Sequence, residues 1–381
     1  MGLVLREYQQ KAVDILWSSL FKKNRALLVA PCGSGKSETY IALCQKAIAA
    51  KPDIRIMIIV NKVTLVEQTA RRMNAHIPTS VYCGSMGLKD KSNVMVASVQ
   101  SAYKDSFEQI NLIILDEAHR LNTSEDSQYR RLLDKLDHAK LKIVGVSATP
   151  FRAAGTIYGK DQFFPEVDYK ITLEELWELG FLVKPSCKHT YESFDTTRLS
   201  VKMGEFDQGD VSKLVSDSSK VNAQIKDALP KLVNCKKVAW ACANIAHAEE
   251  VRRAIGEDAS IIHSKMSTEQ REIHQHRFEK MNTRHIVFVN VLSEGYDFPP
   301  VDAIVLMCPT KSPVKYIQTV GRGLRPSPGK TGCLVLDYGR VIENCGPITD
   351  PRIPGKKESA KKLDTRMKFC PMCLEYVAAK A

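Results

Sequence analysis

No stretch of this 381-residue chain approaches the roughly 18–20 consecutive apolar residues that a membrane-spanning helix needs, so no membrane partner is expected. The start lacks a secretory signature as well: Met1-Gly2-Leu3-Val4-Leu5 runs straight into Arg6-Glu7-Tyr8, with no longer apolar core and no small-residue cleavage site. A disulfide framework is missing too. The 11 cysteines are scattered, and Cys44, Cys242 and Cys308 sit in apolar surroundings, which fits reduced thiols in a cytosolic protein. There is no internal repeat and no low-complexity segment apart from a lysine-rich patch around Lys356, Lys357, Lys361 and Lys362, read as a solvated charge run. Charge of one sign is in short supply: 55 Lys and Arg face 43 Asp and Glu, a formal net charge of +12. The excess is spread rather than blocked, which points to a polyanionic partner met by grooves and patches, not by a basic tail.

What is present is an alternation of strands and helices, repeated. Apolar runs at 26–30, 54–60, 94–97, 112–115 and 142–146 have the length of buried parallel strands, with helical patterns at 38–50 and 65–73 between them. The pattern loosens from about 151 to 221, where a helix is expected at 173–179 and a polar stretch at 191–219. It resumes with strands at 237–242, 260–263, 285–290, 303–308 and 333–337. Two α/β halves with helices on both faces of parallel sheets, joined by a connector, are therefore expected. Their ligands belong at the carboxyl ends of the strands.

Two motifs fall at such ends. Ala30-Pro31-Cys32-Gly33-Ser34-Gly35-Lys36-Ser37 has P-loop spacing, with Ala30 in place of the first glycine. Glycines let backbone N–H groups converge on phosphate, Lys36 reaches the β- and γ-phosphates, and the Ser37 hydroxyl suits Mg²⁺. Asp116-Glu117-Ala118-His119 closes the run Ile110–Leu115. Adjacent carboxylates past a buried strand are costly unless something binds them. Asp116 is read as sharing a Mg²⁺ with Ser37, and Glu117 as activating the attacking water.

With Ser147-Ala148-Thr149-Pro150 after the next strand and Gln318-Thr319-Val320-Gly321-Arg322-Gly323-Leu324-Arg325 in the second half, residues 3–345 resemble a superfamily 2 helicase of the DEAH-box type. The closest likeness is to RadD-like bacterial and phage DNA repair helicases, carried by Ile171–Leu176, Gly180–Pro185, Cys308–Ser312 and Leu334–Tyr338. The resemblance implies tandem RecA-like P-loop domains at 1–170 and 226–345, a connector at 171–225 and a basic tail at 346–381. It implies ATP and Mg²⁺ as cofactors. Arg6, Gln9, Gly33, Ser34, Gly35, Lys36, Ser37, Gly295 and Asp297 would bind the nucleotide, Gln9 reading the adenine edge.

Lys36, Asp116, Glu117, His119, Gln318, Arg322 and Arg325 would carry catalysis, the two arginines neutralising the γ-phosphate and His119 coupling the acidic motif to Gln318. Asn61, Lys62, Thr64, Gln68, Ser98, Gln100, Asn244, His263, Ser264 and Asn290 would line the nucleic-acid path. The implied protein is a monomeric ATP-driven motor on single-stranded, forked or branched DNA. It would work in the cytoplasm of a bacterial or phage-infected cell, with single-strand-binding or recombination proteins as partners. RNA as track, a nucleotide-gated clamp that does not unwind, and the motor part of a restriction system stay open beside it. Cys370-Pro371-Met372-Cys373 is half a zinc site. The resembling family often completes a four-cysteine ribbon, read here as truncated, so no Zn²⁺ is expected.

Overall fold

The computed structural model describes residues 2–353, except 108, 122–123, 125–126, 137–138, 153, 189, 281–282 and 290–297, together with the backbone of 368–369 and 376–377. Two compact units divide the chain, Met1–Thr172 and Leu173–Ala381.

The first unit is built on an eight-stranded sheet. Its strands in chain order are β1 (Arg25–Val29), β2 (Ile56–Val60), β3 (Ser80–Cys83), β4 (Leu88–Lys89), β5 (Val94–Ser98), β6 (Leu112–Asp116), β7 (Lys142–Ser147) and, after the small hairpin β8 (Phe151–Arg152) and β9 (Gly155–Thr156), β10 (Tyr169–Lys170). The spatial order is β10-β1-β7-β6-β2-β5-β3-β4, parallel throughout except for β4. Every residue of β2 and β5 is buried, as a strand covered on both faces demands. The helices are α1 (Glu7–Lys22), α2 (Lys36–Ala50), α3 (Val63–Asn74), α4 (Val99–Ala102) and α5 (Gln128–Leu136). The five strands read from apolar runs are all present, within two residues at each end.

The second unit opens with α6 (Leu173–Glu178) and holds a six-stranded, wholly parallel sheet. Its strands are β11 (Lys184–Lys188), β14 (Val238–Ala241), β15 (Ala259–Ile262), β16 (His285–Phe288), β17 (Ala303–Leu306) and β18 (Gly332–Asp337), in the order β11-β18-β17-β14-β16-β15. The hairpin β12 (Val201–Lys202) and β13 (Glu205–Phe206) precedes α7 (Gln208–Leu214) and α8 (Ser218–Lys231). Later come α9 (Ile245–Ile255), α10 (Thr268–Lys280), α11 (Pro313–Gly323) and α12 (Val341–Cys345). The core is centred on Trp240, whose indole Nε1 donates to His285 Nδ1 at 3.0 Å.

Residues expected as connector contribute β11, an edge strand reading Lys-Pro-Ser-Cys-Lys. A proline and two lysines mask it as a strand in sequence, yet an edge is where a sheet tolerates them. Gly323 at the end of α11 is forced by packing: a Cβ there would lie 2.5 Å from Cys333 Sγ and 2.9 Å from Ile304 Cγ1. In the tail, β19 (Lys368–Phe369) pairs antiparallel with β20 (Tyr376–Val377). Cys370 and Cys373 fall outside the described residues.

Candidate nucleotide site and nucleic-acid cleft

The phosphate loop joins β1 to α2. Gly33 and Gly35 take left-handed backbone angles (φ 83° and 76°), so Lys36 begins the helix with its N-terminal N–H groups and positive dipole end facing the loop. Three residues ahead of the sheet lock it. Gln9 Nε2 donates to the carbonyls of Ser34 and Gly35 at 3.2 Å each, while its Oε1 accepts from Arg6 N at 2.9 Å. Tyr8 Oη donates to the Ser34 carbonyl and accepts from Arg6 Nη1 at 3.0 Å. Gln9, expected to read a base edge, thus has its amide N–H groups engaged on the loop, and a base-reading role requires exchange of those bonds. Lys36 Nζ reaches the carbonyls of Ala30 and Pro31 only at 3.4 Å, long for a hydrogen bond and readily surrendered to phosphate. Ser34 Oγ is buried with no hydrogen-bond partner among the described residues.

The acidic pair ends β6, one strand removed from β1. Glu117 sits in the left-handed region (φ 51°, ψ 52°), costly for a residue with a Cβ and typical of side chains aimed for a purpose. Burial, and then the neighbouring Glu117 charge, raise Asp116 to about 6 against the pull of Lys36. Burial pushes Glu117 up too, but His119 and the charges of Lys36 and Arg120 hold it at about 2. The pair is therefore unequal, and Glu117 is the one held ionised.

His119, buried, places Nδ1 3.3 Å from Glu117 Oε2, 3.0 Å from Ser147 Oγ and 3.2 Å from Thr149 Oγ1. It thereby fastens the end of β6 to the end of β7. Ser37, at the start of α2, and Asp116, at the end of β6, both lie around the buried Tyr40 phenol, whose pKa burial raises. A buried carboxylate resisting ionisation, with a hydroxyl in the same neighbourhood, suits Mg²⁺. Among the described residues no group of three or more His, Cys, Asp and Glu could hold a metal. Mg²⁺ sites completed by phosphate oxygens and water need no such group.

A second concavity of about 720 Å³ lies over the ends of β2 and β5, lined by Asn61, Lys62, Thr64, Ser98 and Gln100, with Gly84, Ser85, Lys89, Ser101 and Lys104 beside them. Five predicted nucleic-acid residues meet there. Gln68 is exposed on α3 and is not among the lining residues. Lys89 and Lys104 escaped the sequence reading because no motif carries them; only the folded β3–β4 ribbon and the turn after α4 deliver their charge.

In the second unit the candidate residues again follow strand ends. Asn244, after β14, caps α9, accepting from His247 N at 2.9 Å and donating to Ser212 Oγ at 3.3 Å. It lines a cleft of about 770 Å³ with Ser212, Lys265 and Val289. His263 Nε2, after β15, lies 3.8 Å from Glu249 Oε1, and the Ser264 carbonyl accepts from Arg271 Nη2 at 2.8 Å. Gln318 is buried on α11, which also carries Arg322. Arg325 follows the helix, and its carbonyl takes the Lys330 ammonium at 2.7 Å. Asn290, Gly295 and Asp297 lie outside the described residues.

Residues 2–152 match the family described as type III restriction enzyme, res subunit, and residues 221–327 the helicase conserved C-terminal domain. A protein of Schizosaccharomyces pombe described as "Putative mitochondrial ATP-dependent helicase irc3" is 27% identical over 372 residues, 93% of this chain and 60% of its own. The type I restriction enzyme EcoAI endonuclease subunit of Escherichia coli is 25% identical over 401 residues, 94% of this chain and 48% of its own. Among solved structures, the ATP-dependent type ISP restriction-modification enzyme LlaBIII bound to DNA superposes with a TM-score of 0.65 at 18% identity, over 88% of this chain and 27% of that one. The chain thus spans 60% or less of the length of each of these proteins.

Proposed function

We propose that the chain, whose two parts match helicase-type domain families, is a superfamily 2 ATP-driven motor that moves on or remodels DNA. The observation that carries this reading is the joined row of strand ends β1, β7 and β6. There a phosphate loop, a hydroxyl pair and an unequal acidic pair linked by His119 form one cluster.

In this reading Lys36 and the N–H groups of the loop bind the β- and γ-phosphates. Ser37 and Asp116 hold Mg²⁺, which supplies charge neutralisation for the phosphates. Glu117, kept ionised, accepts the proton of the attacking water, and His119 holds its carboxylate in place. Arg322 and Arg325 oppose the charge that develops on the γ-phosphate. Asn61, Lys62, Thr64, Ser98 and Gln100 grip a phosphate backbone, with Lys89 and Lys104 adding positive charge. Such contacts make binding independent of sequence and weaker with salt. A RadD-like role in DNA repair or recombination, on forked or branched DNA beside single-strand-binding proteins in a bacterial or phage-infected cytoplasm, is the finer form of the proposal.

The test is ATP turnover with single-stranded, duplex and forked DNA and with RNA, alongside strand displacement. DNA should stimulate, and Lys36→Ala and Glu117→Gln should each abolish hydrolysis with the fold intact. Stimulation by RNA alone would overturn the DNA track. Unchanged turnover in either variant would overturn the site.

A further inference from the structure

The cleft over β2 and β5 and the acidic pair on β6 are joined by a side chain that neither assignment uses. Arg120 closes the short turn Ala118–Arg120 that follows Glu117, and its backbone N–H donates to the Glu117 carbonyl at 2.9 Å. Its guanidinium meets Asn61. With its oxygen facing Arg120, the Asn61 amide accepts from Nε at 2.9 Å and from Nη1 at 3.1 Å. The Asn61 backbone carbonyl in turn accepts from Gln100 Nε2 at 2.8 Å. Asn61 and Gln100 both line the cleft. An unbroken polar chain therefore runs Gln100–Asn61–Arg120–Glu117 over the neighbouring strands β5, β2 and β6.

The chemistry of its middle link matters. An arginine fork is rigid and planar, so when Asn61 shifts to meet a phosphate the guanidinium must rotate or lose both bonds. Its other end is anchored next to a carboxylate whose backbone is already strained at φ 51°. A small movement at the cleft is thereby delivered to the residue that must orient water.

We propose that Arg120 is a positioning residue that transmits occupancy of the nucleic-acid cleft, through Asn61, to Glu117, so that hydrolysis accelerates when the cleft is filled. This rests on the motor reading above. A direct Arg120–phosphate contact is the competing role, and it predicts loss of affinity rather than of stimulation.

The experiment compares wild type, Arg120→Met, Arg120→Lys, Asn61→Leu and the Arg120→Met/Asn61→Leu pair. It measures ATPase rate without nucleic acid, ATPase rate at saturating single-stranded DNA, and DNA affinity by fluorescence anisotropy. Arg120→Met should keep the unstimulated rate and the DNA affinity while losing about tenfold in stimulation, the size of coupling typical of linked sites. Arg120→Lys should recover part of it, and the double variant should lose no more than either single one, the signature of one shared path. Full stimulation in Arg120→Met overturns the proposal. So does a matching fall in the unstimulated rate, or a loss confined to affinity. If Arg120→Met does not fold, Asn61→Leu decides: persistence of stimulation at saturating DNA overturns the relay. A wild type that DNA does not stimulate removes the motor reading and the relay with it, whereas a stimulated wild type with a stimulated Arg120→Met removes the relay alone.

Discussion

The two units share a parallel sheet with functional side chains after the strands, but those side chains are wired differently. In the first unit they bond to one another across strands: Gln9 to the phosphate loop, His119 to Ser147 and Thr149, Arg120 to Asn61, and Gln100 to Asn61. In the second, the candidate residues seen among the described residues are held by helices and loops. Asn244 caps its own helix and reaches Ser212 on α7, and the Ser264 carbonyl holds Arg271 seven residues on. A cluster bonded across strands holds several groups in one geometry at once, as water activation needs. Side chains held in this way answer to single helices and loops rather than to a row of strand ends.

That contrast is exposed to direct attack. The largest effect should come from the second unit's single charges. Arg322→Ala should cut single-turnover ATP hydrolysis by about a thousandfold or more, as loss of an arginine at a developing phosphate charge does. ATP affinity, measured separately, should change far less. Equal loss of both would place Arg322 in ground-state binding instead.

A smaller effect tests local wiring itself. Asn244→Ala should lower stability in chemical denaturation by about 1 kcal/mol, the worth of an N-cap, and leave nucleotide binding by the first unit unchanged. A loss of nucleotide binding would show that Asn244 is not a local cap alone.

The smallest effect is spectroscopic. Burial lowers His285 to about 4, Asp258 opposing only in part. Its Nδ1 must stay unprotonated to accept from Trp240. Because the folded value lies below the ordinary one, the unfolded chain takes up this proton first as pH falls. The stability that neutral His285 confers is complete above pH 6.5 and is lost between 6.5 and about 4. In a Trp17→Phe/Trp177→Phe background, Trp240 fluorescence should titrate with a midpoint near 4; a midpoint near 6.5 would show that His285 is not buried against the indole.

Much of the fold was legible because its central strands are covered on both faces. Ile56–Val60 and Val94–Ala97 are apolar at every position, so each writes itself as an unbroken run. Edge elements leave no such trace. β11 carries two lysines and a proline, and the β3–β4 ribbon that presents Lys89 is short and half exposed. In the candidate site, residues bound to a spacing pattern were legible as candidates: Lys36, Asp116, Glu117, Arg322. Arg120, Lys89 and Lys104 were not, because no local pattern marks them. Gln9 was found for one role and seen in another, since a motif fixes a position but not the hydrogen bonds a folded neighbour offers it.

The sequence by itself determined which central segments become strands, which segment follows the phosphate-loop spacing and in what order they occur, because burial and loop geometry are local demands on residue type. Only the tertiary structure decided which strand ends stand side by side. β7 and β6 insert between β1 and β2, so Ser147 and Asp116 come next to the phosphate loop, and Arg120 comes within reach of Asn61. Parallel pairing makes that choice by burying apolar faces of strands far apart along the chain. The chemistry at their carboxyl ends follows from an order that no stretch of sequence contains.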